Sequence, residues 1–192
     1  MKTYSSMRLA RWYSSLRTVH KFITAPLADS LYKESLSFTS VEQNDGLCYG
    51  GAKADYGNPM STRLLTMLKP KVEMEVGKEL CETYAFNRVY YEGMALGPHR
   101  DRPSCQVSVT ITLGFQADYL WPIFVDGYPY ALHVGEGVIY RGCEELHWRA
   151  PLRKIDPQGD DVHWSQVFLH YIEVGGEYDP EWRYDKNPKM FG

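Results

Sequence analysis

Apolar and polar positions change period about halfway along the chain, from helical spacing to strand spacing. Thr24-Ala25-Pro26 followed by residues 27–36 reads as a capped amphipathic helix, with proline tolerated in the first turn. Residues 38–59 are rich in Gly, Asn, Asp and Ser and read as loop with one short strand. From Ser61 the apolar residues Leu64, Leu65, Met67, Leu68, Val72, Met74, Val76 and Leu80 recur at threes and fours. That spacing predicts a helix over 61–80, with Pro70 as a break or kink. Beyond it, 85–94 reads as a strand, and Val107, Val109, Ile111 and Leu113 alternate with Ser108, Thr110 and Thr112. Residues 121–125 and 130–134 flank Asp126-Gly127, a hairpin signal, and 137–140, 145–149 and 166–173 supply three further strands. Helices first and about seven short strands afterwards predict an α+β protein whose second half is a sandwich or barrel.

At 192 residues the chain is near the size of one domain, large enough to bury a core without disulfides or a structural metal. The reading divides it into a basic N-terminal arm (1–23), a domain (24–175) and a polar C-terminal strap (176–192). The arm carries Lys2, Arg8, Arg11, Arg17 and Lys21 and no acid; Leu9, Trp12, Tyr13 and Leu16 suit packing onto the domain, with organellar import the lesser alternative. A net charge of −3 argues against a nucleic-acid binder that must neutralise many phosphates. No run approaches the roughly 18 apolar residues of a membrane span. Four cysteines without a Cys-x-x-Cys pair or a secretory signal read as reduced thiols, which favours the cytoplasm.

Among the six histidines, one stands at ligand spacing from a carboxylate, in Pro98-His99-Arg100-Asp101. In an extended segment residues two apart share a face, so His99 and Asp101 converge. His147 follows 48 positions later on an expected strand. Two histidines and one carboxylate are the facial triad of non-haem Fe(II) oxygenases, which leaves coordination positions open. A bare His-x-Asp is commonly a surface pair, so the surroundings carry the weight.

Those surroundings are distinctive. The stretch Arg88-Val-Tyr-Tyr-Glu-Gly-Met-Ala-Leu-Gly-Pro-His-Arg-Asp101 resembles the ligand segment of the prolyl 4-hydroxylase-like 2-oxoglutarate/Fe(II) dioxygenases, with Tyr90 and Gly93 placed as that family has them. Gly135-Glu-Gly-Val-Ile-Tyr140 resembles the turn and strand leading to the distal histidine. His147-Trp-Arg149, Pro151 and Gln166-Val-Phe-Leu-His-Tyr171 resemble the last two core strands. The likeness spans roughly residues 60–175. It implies a distorted double-stranded β-helix (jelly roll) supported by N-terminal helices, with Fe(II) held by His99, Asp101 and His147. It also implies 2-oxoglutarate and dioxygen as cosubstrates, and hydroxylation of an unactivated C–H bond with release of succinate and CO2.

The distal carboxylate of 2-oxoglutarate needs a cation. The family places one nine or ten positions after the distal histidine; here those positions are Asp156 and Pro157, inside what reads as an inserted loop, Lys154 to Asp161. Arg149, two residues after His147, is the substitute expected on physical grounds, with Arg153 and Arg88 as alternatives and Tyr90 as an added hydroxyl donor. His133 and His170 read as hydrogen-bonded structural histidines within strands, without carboxylate neighbours. Cys105 and Cys143 read as small buried apolar groups, and Trp121, Trp148 and Trp164 as core. Arg102 and Arg141 suit either the pocket mouth or the surface.

By family likeness the substrate is a prolyl or other peptide side chain. The alternatives are a free amino acid or biosynthetic intermediate, and a non-catalytic jelly-roll binding module. The loop over 41–60 is the candidate lid, and the oligomeric state stays open.

Overall fold

The structure, a computed structural model, describes residues 18–39, 48–49 and 51–184. Its strands are β1 (Val19–Lys21), β2 (Cys48–Tyr49), β3 (Lys53–Tyr56), β4 (Leu80–Tyr91), β5 (Ala95–His99), β6 (Val107–Gln116), β7 (Ile123–Val125), β8 (Tyr128–Tyr130), β9 (Glu136–Tyr140), β10 (His147–Arg149) and β11 (His163–Glu173). The helices are α1 (Ala25–Leu36) and α2 (Pro59–Val76), with a short 3-10 turn over Pro103–Cys105. One sheet runs β1-β9-β6-β11-β4-β3 and the other β2-β5-β10-β7-β8. All pairings are antiparallel. Two such sheets face to face, with helices on one outer surface, are the expected α+β jelly roll.

The alternation along β6 explains how the layers divide. Val107, Val109, Ile111 and Leu113, with Val167 and Leu169 of β11, pack against Leu31 of α1 and Leu64, Leu65, Leu68 and Val72 of α2. The opposite face of β6 carries Ser108, Thr110 and Thr112. In a sheet with one wet face these hydroxyls would meet water. Here all three are fully buried, because that face looks across the sandwich. Tyr90 and Trp164 on the same interior side pack with Leu96, Trp121 and Leu152. The sheet is therefore apolar toward the helices and mixed toward the interior, where buried hydroxyls share the face with Tyr90 and Trp164.

Local chemistry sets the element ends. The Asn58 side chain accepts hydrogen bonds from the N–H groups of Met60 and Ser61 at 2.9 and 3.3 Å, and Pro59 opens α2. Gly77 closes the helix in the left-handed conformation at φ 69°, its N–H donating to Glu73 O at 2.8 Å. The helix expected over 61–80 therefore ends at 76, and Leu80 opens β4 instead. Pro70 interrupts no part of it. Asp126 and Gly127, with φ of 47° and 82°, make the two-residue β7–β8 turn. Strand β8 stops at Tyr130, short of the expected 134, which leaves His133 in an exposed turn rather than in a strand. Thr24 flanks α1 without a side-chain capping bond.

Strands β1, β2, β3 and β5 have weak sequence signals, and β1 lies inside the segment read as a basic arm. It pairs with β9 from Val19↔Val138 to Lys21↔Glu136, and Phe22 and Ile23 are buried, so the larger sheet takes in residues before 24. The arm residues 1–17, including Leu9, Trp12, Tyr13 and Leu16, lie outside the described residues, as do 41–47 and 50 of the lid candidate and 185–192 of the strap. All four cysteines are free thiols. Among the described residues no helix is long and apolar enough to cross a membrane.

The Asn58 amide also donates to Glu34 Oε1 and Asp55 Oδ2, both at 3.2 Å, tying α2 to α1 and β3. Asn58→Ala is expected to cost about 1–2 kcal/mol in urea unfolding. Asn58→Asp keeps the cap acceptor but sets a third carboxylate beside two others, so it should also destabilise at neutral pH. Wild-type stability in the Asp variant would show that capping alone matters at this position.

Candidate metal centre and anion pocket

Strand β10 lies between β5 and β7 in the smaller sheet, and its register sets His147 opposite His99. The two imidazole centroids are 4.2 Å apart. Asp101 follows β5 by two residues, its backbone N–H donating to Gly142 O at 2.8 Å. Its Oδ1 lies 3.5 Å from His99 Nε2 and 3.4 Å from His147 Nε2. His99 Nδ1 lies 2.8 Å from Gly97 O, and His147 Nδ1 lies 2.9 Å from Glu145 O. A carbonyl oxygen only accepts, so each Nδ1 carries a proton and each Nε2 is the ring nitrogen turned toward Asp101 Oδ1, where a proton bridges imidazole and carboxylate in place of a metal. Imidazoles anchored in this way through their second nitrogen are the usual arrangement of histidines that ligate a metal.

Electrostatics fit the same reading. Burial pushes the Asp101 carboxyl up, but hydrogen bonds with His147 and His99 outweigh it and hold the group well below the usual carboxylate range. Burial lowers His147, and its contact with Asp101 more than reverses that, raising it above its ordinary value. An anionic carboxylate flanked by two imidazoles is a site where a divalent cation replaces protons.

A second set, Asp101, Cys105 and His170, also brings its ligand atoms within 4.8 Å of one another. It is the poorer donor set. Burial raises the Cys105 thiol well above its usual range, so it stays protonated, and Tyr84 Oη lies 3.0 Å from its sulfur. His170 Nδ1 is engaged with Ser108 Oγ at 3.0 Å.

Arg149 sits on the same strand, two residues beyond His147, and is 1 % exposed. Its Nη1 donates to Trp121 O at 2.6 Å, while Nε and Nη2 have no hydrogen-bond partner among the described residues. The guanidinium lies over the Trp121 ring at 4.5 Å and near the Trp164 ring at 5.8 Å. Burial pulls its pKa down to about 10, which leaves it cationic at neutral pH. Trp164 Nε1 and, on the interior face of the larger sheet, Thr112 Oγ1 and both polar atoms of Gln166 are also buried without hydrogen-bond partners among the described residues. Gln166 of β11 stands opposite Thr112 on β6 and Arg88 on β4, so these side chains form one row across the interior face. A buried unsatisfied group costs about 1–3 kcal/mol. The unpartnered Nε and Nη2 of Arg149 are donors that a carboxylate-bearing ligand would satisfy.

Tyr90 is fully buried, its hydroxyl accepts from Arg88 Nη1 at 3.2 Å, and its ring meets Trp121 edge-on at 5.0 Å. Burial raises its pKa, so the hydroxyl keeps a proton to donate. Arg153, by contrast, is exposed in the loop after β10, as are Asp156 and Pro157. Trp148 stacks on Phe124 at 3.9 Å, and Trp121 and Trp164 are core residues, buried with Tyr90, Leu96 and Leu152. Arg141 pairs with Glu144 at 2.6 Å. Cys143 is only half-buried, its Sγ donating to Arg102 O at 3.1 Å, and burial pushes its thiol up to about 12.

His99, Asp101 and His147 come together around one point, and Tyr90 and Arg149 meet at the Trp121 ring. Sequence reasoning did not single out Gln166, Thr112 or Ser108. The one available signal was a run of hydroxyl residues alternating through an otherwise apolar strand.

No family model matches the chain, and no curated protein matches it by sequence. Its fold is that of solved 2-oxoglutarate/Fe(II) oxygenases. An oxidoreductase of the 2OG-Fe(II) oxygenase family from Burkholderia pseudomallei aligns with TM-score 0.65 and 13 % identity over 89 % of this chain and 92 % of that one. The non-haem α-ketoglutarate-dependent epimerase SnoN of nogalamycin biosynthesis gives 0.63 and 12 % over 88 % and 83 %. A Pseudomonas putida prolyl-4-hydroxylase gives 0.57 and 15 % over 80 % and 90 %.

Two outcomes follow. Under anaerobic conditions the chain should bind about one Fe(II), and His99→Ala, Asp101→Ala or His147→Ala should each abolish that binding; unimpaired binding in any of them would remove that residue from the centre. Separately, Arg149→Met should stabilise the ligand-free protein toward urea by about 1–3 kcal/mol, because it removes a buried cation without a counter-charge. A loss of stability would mean that the guanidinium serves the fold rather than a ligand.

Proposed function

We propose that this chain is an Fe(II)- and 2-oxoglutarate-dependent oxygenase that hydroxylates an unactivated C–H bond. The observation that carries the reading is the conjunction of His99, Asp101 and His147 around one point with the buried guanidinium of Arg149 on the same strand. The fold shared with 2-oxoglutarate oxygenases supports it.

In this reading His99 Nε2, Asp101 Oδ1 and His147 Nε2 hold the metal as a facial set of two neutral imidazoles and one carboxylate, a donor set suited to Fe(II). Bound there with 2-oxoglutarate and dioxygen, the iron supplies the oxidising chemistry that ends in succinate, CO2 and a hydroxylated product. The chain's own contribution is placement. Arg149 Nε and Nη2 grip the distal carboxylate, with the Tyr90 hydroxyl and the Trp164 indole N–H as further donors. Trp121, Trp164 and Tyr90 wall the chamber against water, which strengthens each of those contacts. Gly97 O and Glu145 O keep both imidazoles in the ligating tautomer. The C–H-bearing substrate is a peptide side chain or a small molecule.

The test is succinate formation from 2-oxoglutarate in the iron-loaded protein, measured as uncoupled turnover. Wild type should turn over, and His99→Ala should not. Arg149→Ala should raise the apparent KM for 2-oxoglutarate about 10- to 150-fold, the equivalent of one charge-assisted contact, and Arg149→Lys should recover part of it. Iron binding without succinate formation would favour the non-catalytic module. An unchanged KM in Arg149→Ala would move the anchor to Arg88.

A further inference from the structure

The carboxylate of Asp101 has two oxygens with different surroundings. Oδ1 faces the two imidazoles, whereas Oδ2 accepts from Ser108 Oγ at 3.1 Å. Ser108 lies on β6 and is fully buried. Its hydroxyl also approaches Cys105 O at 3.1 Å and His170 Nδ1 at 3.0 Å. A carboxylate oxygen and a backbone carbonyl only accept, and one hydroxyl proton cannot serve three acceptors. His170 is the one neighbour able to donate, so its Nδ1 carries a proton directed at Ser108 Oγ. The serine proton is then released toward Asp101 Oδ2, the charged and stronger acceptor.

The surroundings keep this chain in place. The β6–β11 register sets His170 opposite Ser108, and the His170 ring lies 4.5 Å from Tyr84 and stacks along Phe168 at 6.4 Å. Behind the carboxylate the backbone of Gly142 closes in. A Cβ there would fall inside van der Waals contact of Asp101 Oδ2, Cys105 O and Ser108 Oγ.

We infer that Ser108 and His170 are positioning residues for Asp101, and that the relay His170 Nδ1–H to Ser108 Oγ–H to Asp101 Oδ2 holds the carboxylate with Oδ1 alone turned to the metal point. The inference rests on the metal reading above. Its consequence is chemical. A carboxylate free to rotate can chelate through both oxygens and occupy a further coordination position, whereas one tethered through Oδ2 leaves three positions open on a facial set.

The test uses Co(II) alone as the probe, with affinity and d–d absorption as readouts and no turnover required. Wild type should bind Co(II) and His99→Ala should not; failure of wild type to bind overturns the metal reading and this inference with it. Given binding, Ser108→Ala should weaken Co(II) affinity about 10- to 100-fold and alter the absorption spectrum. His170→Phe keeps a ring between Tyr84 and Phe168 but has no donor, and should shift both readouts in the same direction. His170→Asn restores an N–H near the position of Nδ1 and should return both toward wild type. Wild-type affinity and spectrum in Ser108→Ala would overturn the inference while leaving the metal centre intact. Should Ser108→Ala fail to fold, the Phe and Asn variants decide: equal behaviour of the two overturns the relay.

Discussion

The pairing of β10 with β5, which sets His147 opposite His99, is the constraint on which the site depends. A slip of one residue in an antiparallel pair turns every side chain to the other face, so Trp148 would enter the chamber while His147 and Arg149 left it. Three residues of strand give few ladder bonds to resist such a slip. The register is instead held from both faces. On one side Trp148 stacks on Phe124 of β7 at an interplanar angle of 3°. On the other, the Trp121 indole donates to Ala150 O, just beyond the strand, at 2.9 Å.

A second constraint is where the stability comes from. A polar interior wall contributes little to folding and costs free energy wherever its groups lack partners. The chain offsets this with a separate apolar layer, in which α1 and α2 pack on the outer face of the six-stranded sheet. That division of labour explains why β6 and β11 are buried on both faces yet carry a polar set on one of them. The polar residues of the interior face can then be arranged for ligands, because the helix-side layer and the apolar clusters beside them supply the cohesion.

Much of this was legible in the chain. The change from helical to alternating period gave the order of elements, and Asp126-Gly127 gave its hairpin. The spacing of His99, Asp101 and His147, together with the family-like residues around them, singled out the three side chains whose ligand atoms the fold brings together. Other features were not legible, for definite physical reasons. Leu80 continues the helical phase of α2, but Gly77 has already turned the backbone left-handed, a local effect stronger than the apolar pattern. Strands β1, β3 and β5 are short, and their pairing partners rather than their own composition make them strands. Gln166 and Thr112 look like ordinary strand residues until register sets them side by side. His170 has no acidic neighbour in sequence, and only the β6–β11 register brings it to Asp101 through Ser108. Arg149 shares a strand with His147, but that its guanidinium is fully buried with two unpartnered nitrogens shows only in the folded chain.

The proposed function requires that His99, Asp101 and His147 share one ligand site with the buried guanidinium of Arg149. The most direct measurement is a crystal structure of the protein grown without oxygen, with Mn(II) and the inert 2-oxoglutarate analogue N-oxalylglycine. The expected result is an anomalous peak shared by His99 Nε2, Asp101 Oδ1 and His147 Nε2, and a distal carboxylate within hydrogen-bond distance of Arg149 Nε and Nη2. A metal bound elsewhere, or an analogue whose carboxylate leaves Arg149 unpaired, would contradict it.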